Sequence, residues 1–350
     1  MKYLFAPLEG ITGYIFRQVY DAHFGGIDAY YTPFVTTRDG GIMRKKELRD
    51  IAPENNPGLH IVPQIMTTKA DEFLQATSHM QELGYTEVNL NLGCPSGTVV
   101  PKGKGAAFLR EPEKLDRFLY EIYDRCPLAI SIKSRIGFSS VDEFPRLLDI
   151  YKKYPVSLLI LHLRTREEMY EPGVHEEVFD HAYNYKPDDQ TSDGCMTVNT
   201  AQNDHVSKGS MTIETDDDPI PKQDGKESSS KISLCYNGDI CTEKDVKRIQ
   251  DKYPTLDYVM IGRGYLSHPG FAGNDQKKAD YSDLNVIYDY VKDLQGRYEE
   301  VLFGETPVLF KMKELWTHLK ASHPEGDKLF KKIKKVKHLR EYNCILKEFY

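Results

Sequence analysis

Short apolar, β-rich runs recur along the chain near residues 3–6, 28–34, 60–65, 87–91, 128–133, 157–162, 232–236 and 258–261. Each is followed by a stretch whose apolar residues fall at helical spacing, the pattern of repeated βα units and a parallel sheet. Eight such units predict an α/β protein, a (β/α)8 TIM barrel. Two helix starts carry the N-cap and N3 spacing of a capping box, Thr68 with Asp71 and Thr242 with Asp245, just after the third and seventh predicted strands. From about residue 283 the strand pattern stops. Apolar positions then run Tyr288, Val291, Leu294, Tyr298, Leu302, next Leu309, Met312, Leu315, Leu319, and finally Leu329, Ile333, Val336, Leu339. That spacing predicts a C-terminal all-helical bundle over 283–350, after a barrel over 1–275.

The segment 186–231 fits neither region. It is rich in Asp, Ser, Thr, Asn and Gly, with ten acids against five bases, and cannot bury enough apolar surface to offset its ordering entropy. It is expected to be a mobile acidic insertion on the barrel surface. A length of 350 residues suits one barrel of about 250 residues plus a smaller module, and 40% hydrophobic with 28% charged residues excludes wholesale disorder. No apolar run reaches the roughly 18 residues of a membrane span, and the first residues lack the apolar core of a signal peptide. A cytoplasmic protein without membrane contact is expected. The six cysteines form no C-x-x-C pair, so neither a metal site nor a disulfide framework is indicated. A net charge of −7 argues mildly against a nucleic-acid partner, but residues 320–350 hold nine Lys or Arg against four acids. A solvated helix face and a phosphate-backbone contact are both consistent with that tail.

Barrel active sites lie at the carboxyl ends of the strands, and here those positions are polar. The first strand runs into Pro7, Leu8, Glu9; the third ends in Gln64; the fourth leads to Asn91 and Cys94; the fifth to Lys133 and Arg135; the sixth to His162 and Arg164. Asn237, Gly238, Asp239 and then Gly262, Arg263, Gly264 follow the last two strands, the usual phosphate position of this fold, where glycines let backbone N–H groups approach an anion. A phosphate-bearing cofactor is expected there. Lys133 reads either as a Schiff-base lysine or as a fixed charge beside an anionic cofactor. Glycines, a proline and lysines around Cys94 mark an exposed loop over the barrel mouth, which favours a reacting thiol over an inert one.

Taken together, Asn91-Leu92-Gly93-Cys94-Pro95 with Lys102-Gly103-Lys104-Gly105-Ala106-Ala107-Phe108-Leu109 resembles the catalytic loop of the tRNA-dihydrouridine synthases, FMN-containing barrels with a helical C-terminal domain. Ala6-Pro7-Leu8-Glu9-Gly10 with Arg17, Pro63-Gln64, Lys133-Ser134-Arg135, His162-Leu163-Arg164-Thr165, Asn237-Gly238-Asp239-Ile240 and Ile261-Gly262-Arg263-Gly264 extend the likeness over nearly the whole barrel. Position 13 is Gly13 where the family more often has Asp.

The resemblance implies that Pro7, Leu8, Glu9, Gln64, Lys133 and His162 hold the flavin ring and ribityl chain, and that Asn237, Gly238, Asp239, Gly262 and Arg263 hold its phosphate. Asn91, Arg135, Arg164 and Tyr170 would face the target uridine. NADPH, or NADH, would reduce FMN, hydride would pass to C6 of uracil, and Cys94, with a thiol near the ordinary pKa of about 8.5, would deliver the proton to C5. tRNA is the implied partner, and a monomer is expected. An FMN barrel oxidoreductase acting on a small molecule, a catalytically silent tRNA-binding flavoprotein and a Schiff-base aldolase stand as alternatives.

Overall fold

The computed structural model describes residues 1–37, 43–171, 173–185, 232–274 and 283–350. The expected acidic insertion at 186–231 lies outside the described residues. Nine parallel strands form one sheet: β1 (Lys2–Phe5), β2 (Ala29–Tyr31), β3 (Ile61–Val62), β4 (Gln64–Ile65), β5 (Glu87–Leu92), β6 (Ala129–Arg135), β7 (Leu159–His162), β8 (Leu234–Asn237) and β9 (Tyr258–Ile261). Their order is β3-β2-β1-β9-β8-β7-β6-β5-β4. The two edge strands are separated in sequence only by Pro63, so the chain itself closes the ring and the eightfold barrel of the sequence pattern is present. Proline has no N–H for the ladder, which divides the third barrel strand: β3 pairs with β2, β4 pairs with β5, and the Pro63 carbonyl still accepts from the Asn89 N–H at 2.9 Å.

Two buried layers hold the barrel. Its interior is filled by a small cluster from alternating strand positions, among them Leu4, Ala6, Tyr31, Val62, Ile160, Cys235 and Met260. The larger cluster lies between the strands and the surrounding helices and runs without a break into the C-terminal helices. Those are Leu284–Val301, Glu305–Leu319, Gly326–Ile333 and Leu339–Phe349. Most positions of the periodic pattern are buried, and Trp316 Nε1 donates to the Tyr342 hydroxyl at 2.9 Å inside the bundle. Tyr290 packs edge-on against Tyr20 and Phe24 of the first barrel helix, at 6.3 and 5.0 Å between ring centres.

Thr242 caps the helix Glu243–Lys252 with Asp245, as the sequence predicts. The Thr68–Asp71 box does not form: the helix Ala70–Glu82 starts after Lys69. The carboxylate that matters there is Glu72, which accepts from Thr67 at 2.6 Å and Thr37 at 2.8 Å and pairs with Lys69 and Lys104. Arg17 is completely buried and donates to Asn56, Asp50 and the carbonyls of Thr12 and Asp50, so it secures the first βα unit rather than facing a ligand. Where a side chain at position 13 would otherwise cap the first helix, Asp50 Oδ1 accepts from the Tyr14 N–H at 2.6 Å.

Candidate active site

A cleft of about 630 Å³ opens at the carboxyl ends of the strands. Pro7, Leu8, Glu9, Gln64, Asn91, Cys94, Lys133, Arg135, His162, Tyr170, Asn237, Gly238, Asp239, Gly262 and Arg263 all line it. Strand alternation explains this convergence. Residues two apart on a strand share a face, so Asn89 and Asn91, or Ser131, Lys133 and Arg135, point the same way, deeper ones into the barrel and terminal ones into its mouth.

Below the thiol lies a chain of amides. Asn89 Nδ2 donates to Ser131 Oγ at 3.0 Å, Gln64 Nε2 to Asn89 Oδ1 at 2.7 Å, and Asn91 Nδ2 to Gln64 Oε1 at 2.6 Å. Asn91 Oδ1 then accepts the N–H groups of Gly93 and Cys94 at 3.1 and 2.9 Å. Asn91 therefore fixes the backbone that carries the thiol, whatever else it meets in the cleft. Cys94 is half-buried, and exposure in its loop is confined to Gly97, Thr98, Pro101 and Lys102, a tighter setting than the glycine-rich sequence implies. Burial pushes its thiol above the ordinary value. Gly105, at φ +60°, lets the loop double back: a Cβ there would lie 2.8 Å from the Cys94 carbonyl oxygen and 3.0 Å from its Cβ.

On the neighbouring strand β6, paired with β5 through Asn91 and Lys133, the charges are positive. Lys133 Nζ donates to Asn237 Oδ1 at 2.8 Å, and Asn237 Nδ2 to the Met260 carbonyl at 2.8 Å. Burial, with Arg135 adding to it, pushes the Lys133 ammonium down to about 8. Arg135 is buried and committed to the carbonyls of Gly93 and Thr165 at 3.0 and 2.6 Å. Tyr170 is exposed, with the guanidinium groups of Arg135 and Arg263 at 5.5 and 4.6 Å from its ring centre. His162 packs edge-on against the same ring, and its buried Nδ1 has no partner among the described residues. Burial and then the Arg135 charge hold its imidazole neutral, well below its usual range.

Arg164 is the predicted site residue that the structure does not bring to the cleft wall. Its side chain is 3% exposed, and its guanidinium forks onto the two carboxylate oxygens of Asp239. Arg164 thus holds Asp239, a non-glycine residue at φ +43°, in a conformation of the kind proteins keep at functional sites. Arg263 reaches the same carboxylate at 3.0 Å. The sequence pattern singles out none of Pro33, Phe34, Met260 and His318, which also line the cleft. Pro33 and Phe34 follow directly on β2 and read as part of its apolar run, Met260 lies within β9, and His318 comes from the C-terminal helix Glu305–Leu319, where no local motif marks it.

A flavin mononucleotide suits these walls. Lys133, Arg135 and Arg263 oppose only Glu9 and Asp239 among the charged residues on the wall, and the orphaned His162 nitrogen awaits a polar atom. Gly264 packs so tightly on the preceding loop that a Cβ would lie 2.1 Å from the Ile240 carbonyl oxygen, which keeps the loops after β8 and β9 together. Among the described residues no cluster of His, Cys, Asp and Glu could hold a metal ion, and no helix is long and apolar enough to cross a membrane.

The chain as a whole is similar to known proteins. The model of the family described as dihydrouridine synthase matches residues 4–178 and 224–344, leaving out most of the acidic segment. The chain is 24% identical over 302 residues to a probable tRNA-dihydrouridine synthase of Staphylococcus aureus (strain Mu50), covering 85% of this chain and 78% of that one. It is 25% identical over 303 residues to probable tRNA-dihydrouridine synthase 2 of Bacillus subtilis (strain 168), covering 85% and 79%. Morphinone reductase in complex with tetrahydroNAD, a solved structure, aligns with a TM-score of 0.42 at 11% identity over 81% of this chain and 89% of that one. With the family match extending over most of its length, from β1 to the last helix, the chain belongs to the dihydrouridine synthase family.

Proposed function

We propose that this chain reduces the C5–C6 double bond of specific uridines in tRNA, with FMN in the cleft, NADPH as reductant and Cys94 as proton donor. One observation carries the reading: a thiol that burial keeps protonated shares a single cleft with a cationic wall and an unpartnered histidine nitrogen. When bound, FMN would supply the hydride for C6. Pro7, Leu8, Glu9, Gln64, Lys133 and His162 would hold its ring and ribityl chain, and Asn237 to Asp239 with Gly262 and Arg263 its phosphate.

The chain's own groups do the rest. Asn91 pins the backbone N–H of Cys94, so Sγ is presented from a fixed loop rather than a wandering one. As negative charge develops on the uracil C5 and C4 carbonyl, Cys94 Sγ gives its proton to C5 and is left as thiolate, then takes a proton from solvent. Lys133, anchored by Asn237, and Arg135, anchored by two carbonyls, hold positive charge at fixed points in a site of low polarity, where it is worth more than in water. Arg135 and Tyr170 would face the uridine. Extruding that base costs a few kcal/mol of stacking, which the basic residues of 320–350 would help offset through contacts to RNA phosphates.

Nucleoside analysis of tRNA from cells lacking this protein tests the reading. One dihydrouridine should vanish and return with the wild-type gene but not with Cys94→Ala. An unchanged set of modified nucleosides, together with flavin uptake by the purified chain, would favour an FMN oxidoreductase acting on a small molecule.

A further inference from the structure

The helix Glu305–Leu319 lies over the neighbouring loops that follow β1 and β9. Lys311 Nζ donates to the Gly10 carbonyl in the loop after β1, and the Glu314 carboxylate lies against Gly10. Two turns on from Lys311, the same helix packs against the short helix Arg263–Ser267 that follows β9 and brings His318 into the cleft wall beside Arg263. Among the described residues His318 has no hydrogen-bond or ion-pair partner, and it is the one cleft-lining side chain that the C-terminal helices contribute.

Arg263 complements it. Asp239 has two guanidinium partners, and the two are not equivalent: Arg164 is 3% exposed and doubly bonded to it, whereas Arg263 is 40% exposed and makes a single hydrogen bond. Arg263 can turn to an anion without leaving Asp239 unpaired. Lys133 and Arg135 are held by Asn237 and by two backbone carbonyls, so neither is as readily released. We propose that His318 and Arg263 together grip the phosphate of the cofactor, so that the helical region supplies one wall of the cofactor site and cofactor loading clamps that region onto the barrel. The inference rests on the reading that FMN occupies the cleft. Burial and then the Arg263 charge lower the His318 pKa, and a phosphate that meets both side chains would favour the protonated imidazole.

The test compares FMN with riboflavin, which lacks the phosphate, by fluorescence titration of the full chain. His318→Ala should weaken FMN binding roughly tenfold, the worth of one charge-assisted hydrogen bond, and leave riboflavin binding unchanged. His318→Gln, which keeps an N–H donor, should recover part of the loss, and far-ultraviolet circular dichroism should show all variants equally folded. Equal weakening of FMN and riboflavin, or no weakening of either, overturns the proposal. So does a variant that binds both flavins normally but tRNA poorly, since the phosphate concerned would then belong to the RNA. A wild-type chain that takes up neither flavin overturns the proposed function as well, whereas normal FMN uptake with unaltered discrimination in His318→Ala overturns this inference alone.

Discussion

At the scale of single residues the site separates two tasks that cysteine chemistry usually combines. A nucleophilic cysteine needs a lowered pKa, but here burial raises that of Cys94, so the proton stays on sulfur at neutral pH and is available to give away. Because the folded value lies above the ordinary one, thiolate should appear only above about pH 8.5. Alkylation of Cys94 by iodoacetamide, followed by peptide mass spectrometry, should lag a free-cysteine peptide at every pH and accelerate only on the alkaline side. Rapid alkylation at pH 7 would remove the donor role. Lys133 carries the opposite sign. Its ammonium, pushed down to about 8 by burial and Arg135, would be pulled back up by an anionic ligand. Its contribution to FMN affinity is then complete below pH 8 and declines as pH rises through the range between the free and bound values. Titrations on both sides of pH 8 should show that decline, and Lys133→Met should abolish it while weakening binding at neutral pH.

Among elements, the loop that carries Cys94 shows what backbone geometry adds. Gly105→Ala strains a left-handed position, at about 1–2 kcal/mol, and its Cβ also pushes the Cys94 carbonyl away. Turnover should fall ten- to a hundredfold while FMN binding is retained, a split that steady-state kinetics and flavin titration resolve; loss of both would mean the loop is needed for the cofactor too. The same scale shows how much is legible in sequence. Strand positions are, because barrel strands are buried on both faces and read as apolar runs, and polar residues at their ends point to the mouth. The division at Pro63 is not, since the apolar pattern continues through it. Thr68–Asp71 has the spacing of a cap, but Glu72 gathers the local hydroxyls and lysines instead, a competition that spacing alone does not encode. Arg164 and His318 depart from expectation in opposite directions for one reason. The fold commits Arg164 to Asp239, 75 positions on, and draws His318 to the cleft from a distant helix.

For the whole molecule, the continuous core joining barrel and C-terminal helices places the basic tail on a firm base. Its charges are not all available. Lys332 pairs with Glu348 at 2.5 Å, and Lys328 with Glu325 at 3.1 Å. If RNA phosphates meet this face, neutralising Lys331, Lys334 and Lys335 should weaken tRNA binding and flatten the log–log salt slope by up to about 0.9 for each phosphate no longer neutralised. Adding Lys332→Gln should change little more. Filter binding at a series of salt concentrations measures both, and unchanged affinity would return the helix to a solvated face.

The most direct test of the central claim joins cleft, cofactor and thiol in one reaction. The purified chain is loaded with FMN, reduced without oxygen, and mixed with tRNA lacking dihydrouridine. Flavin reoxidation should match dihydrouridine formed one for one, and Cys94→Ala should keep the flavin but lose the product. Failure to take up FMN, or reoxidation without dihydrouridine, would contradict the account.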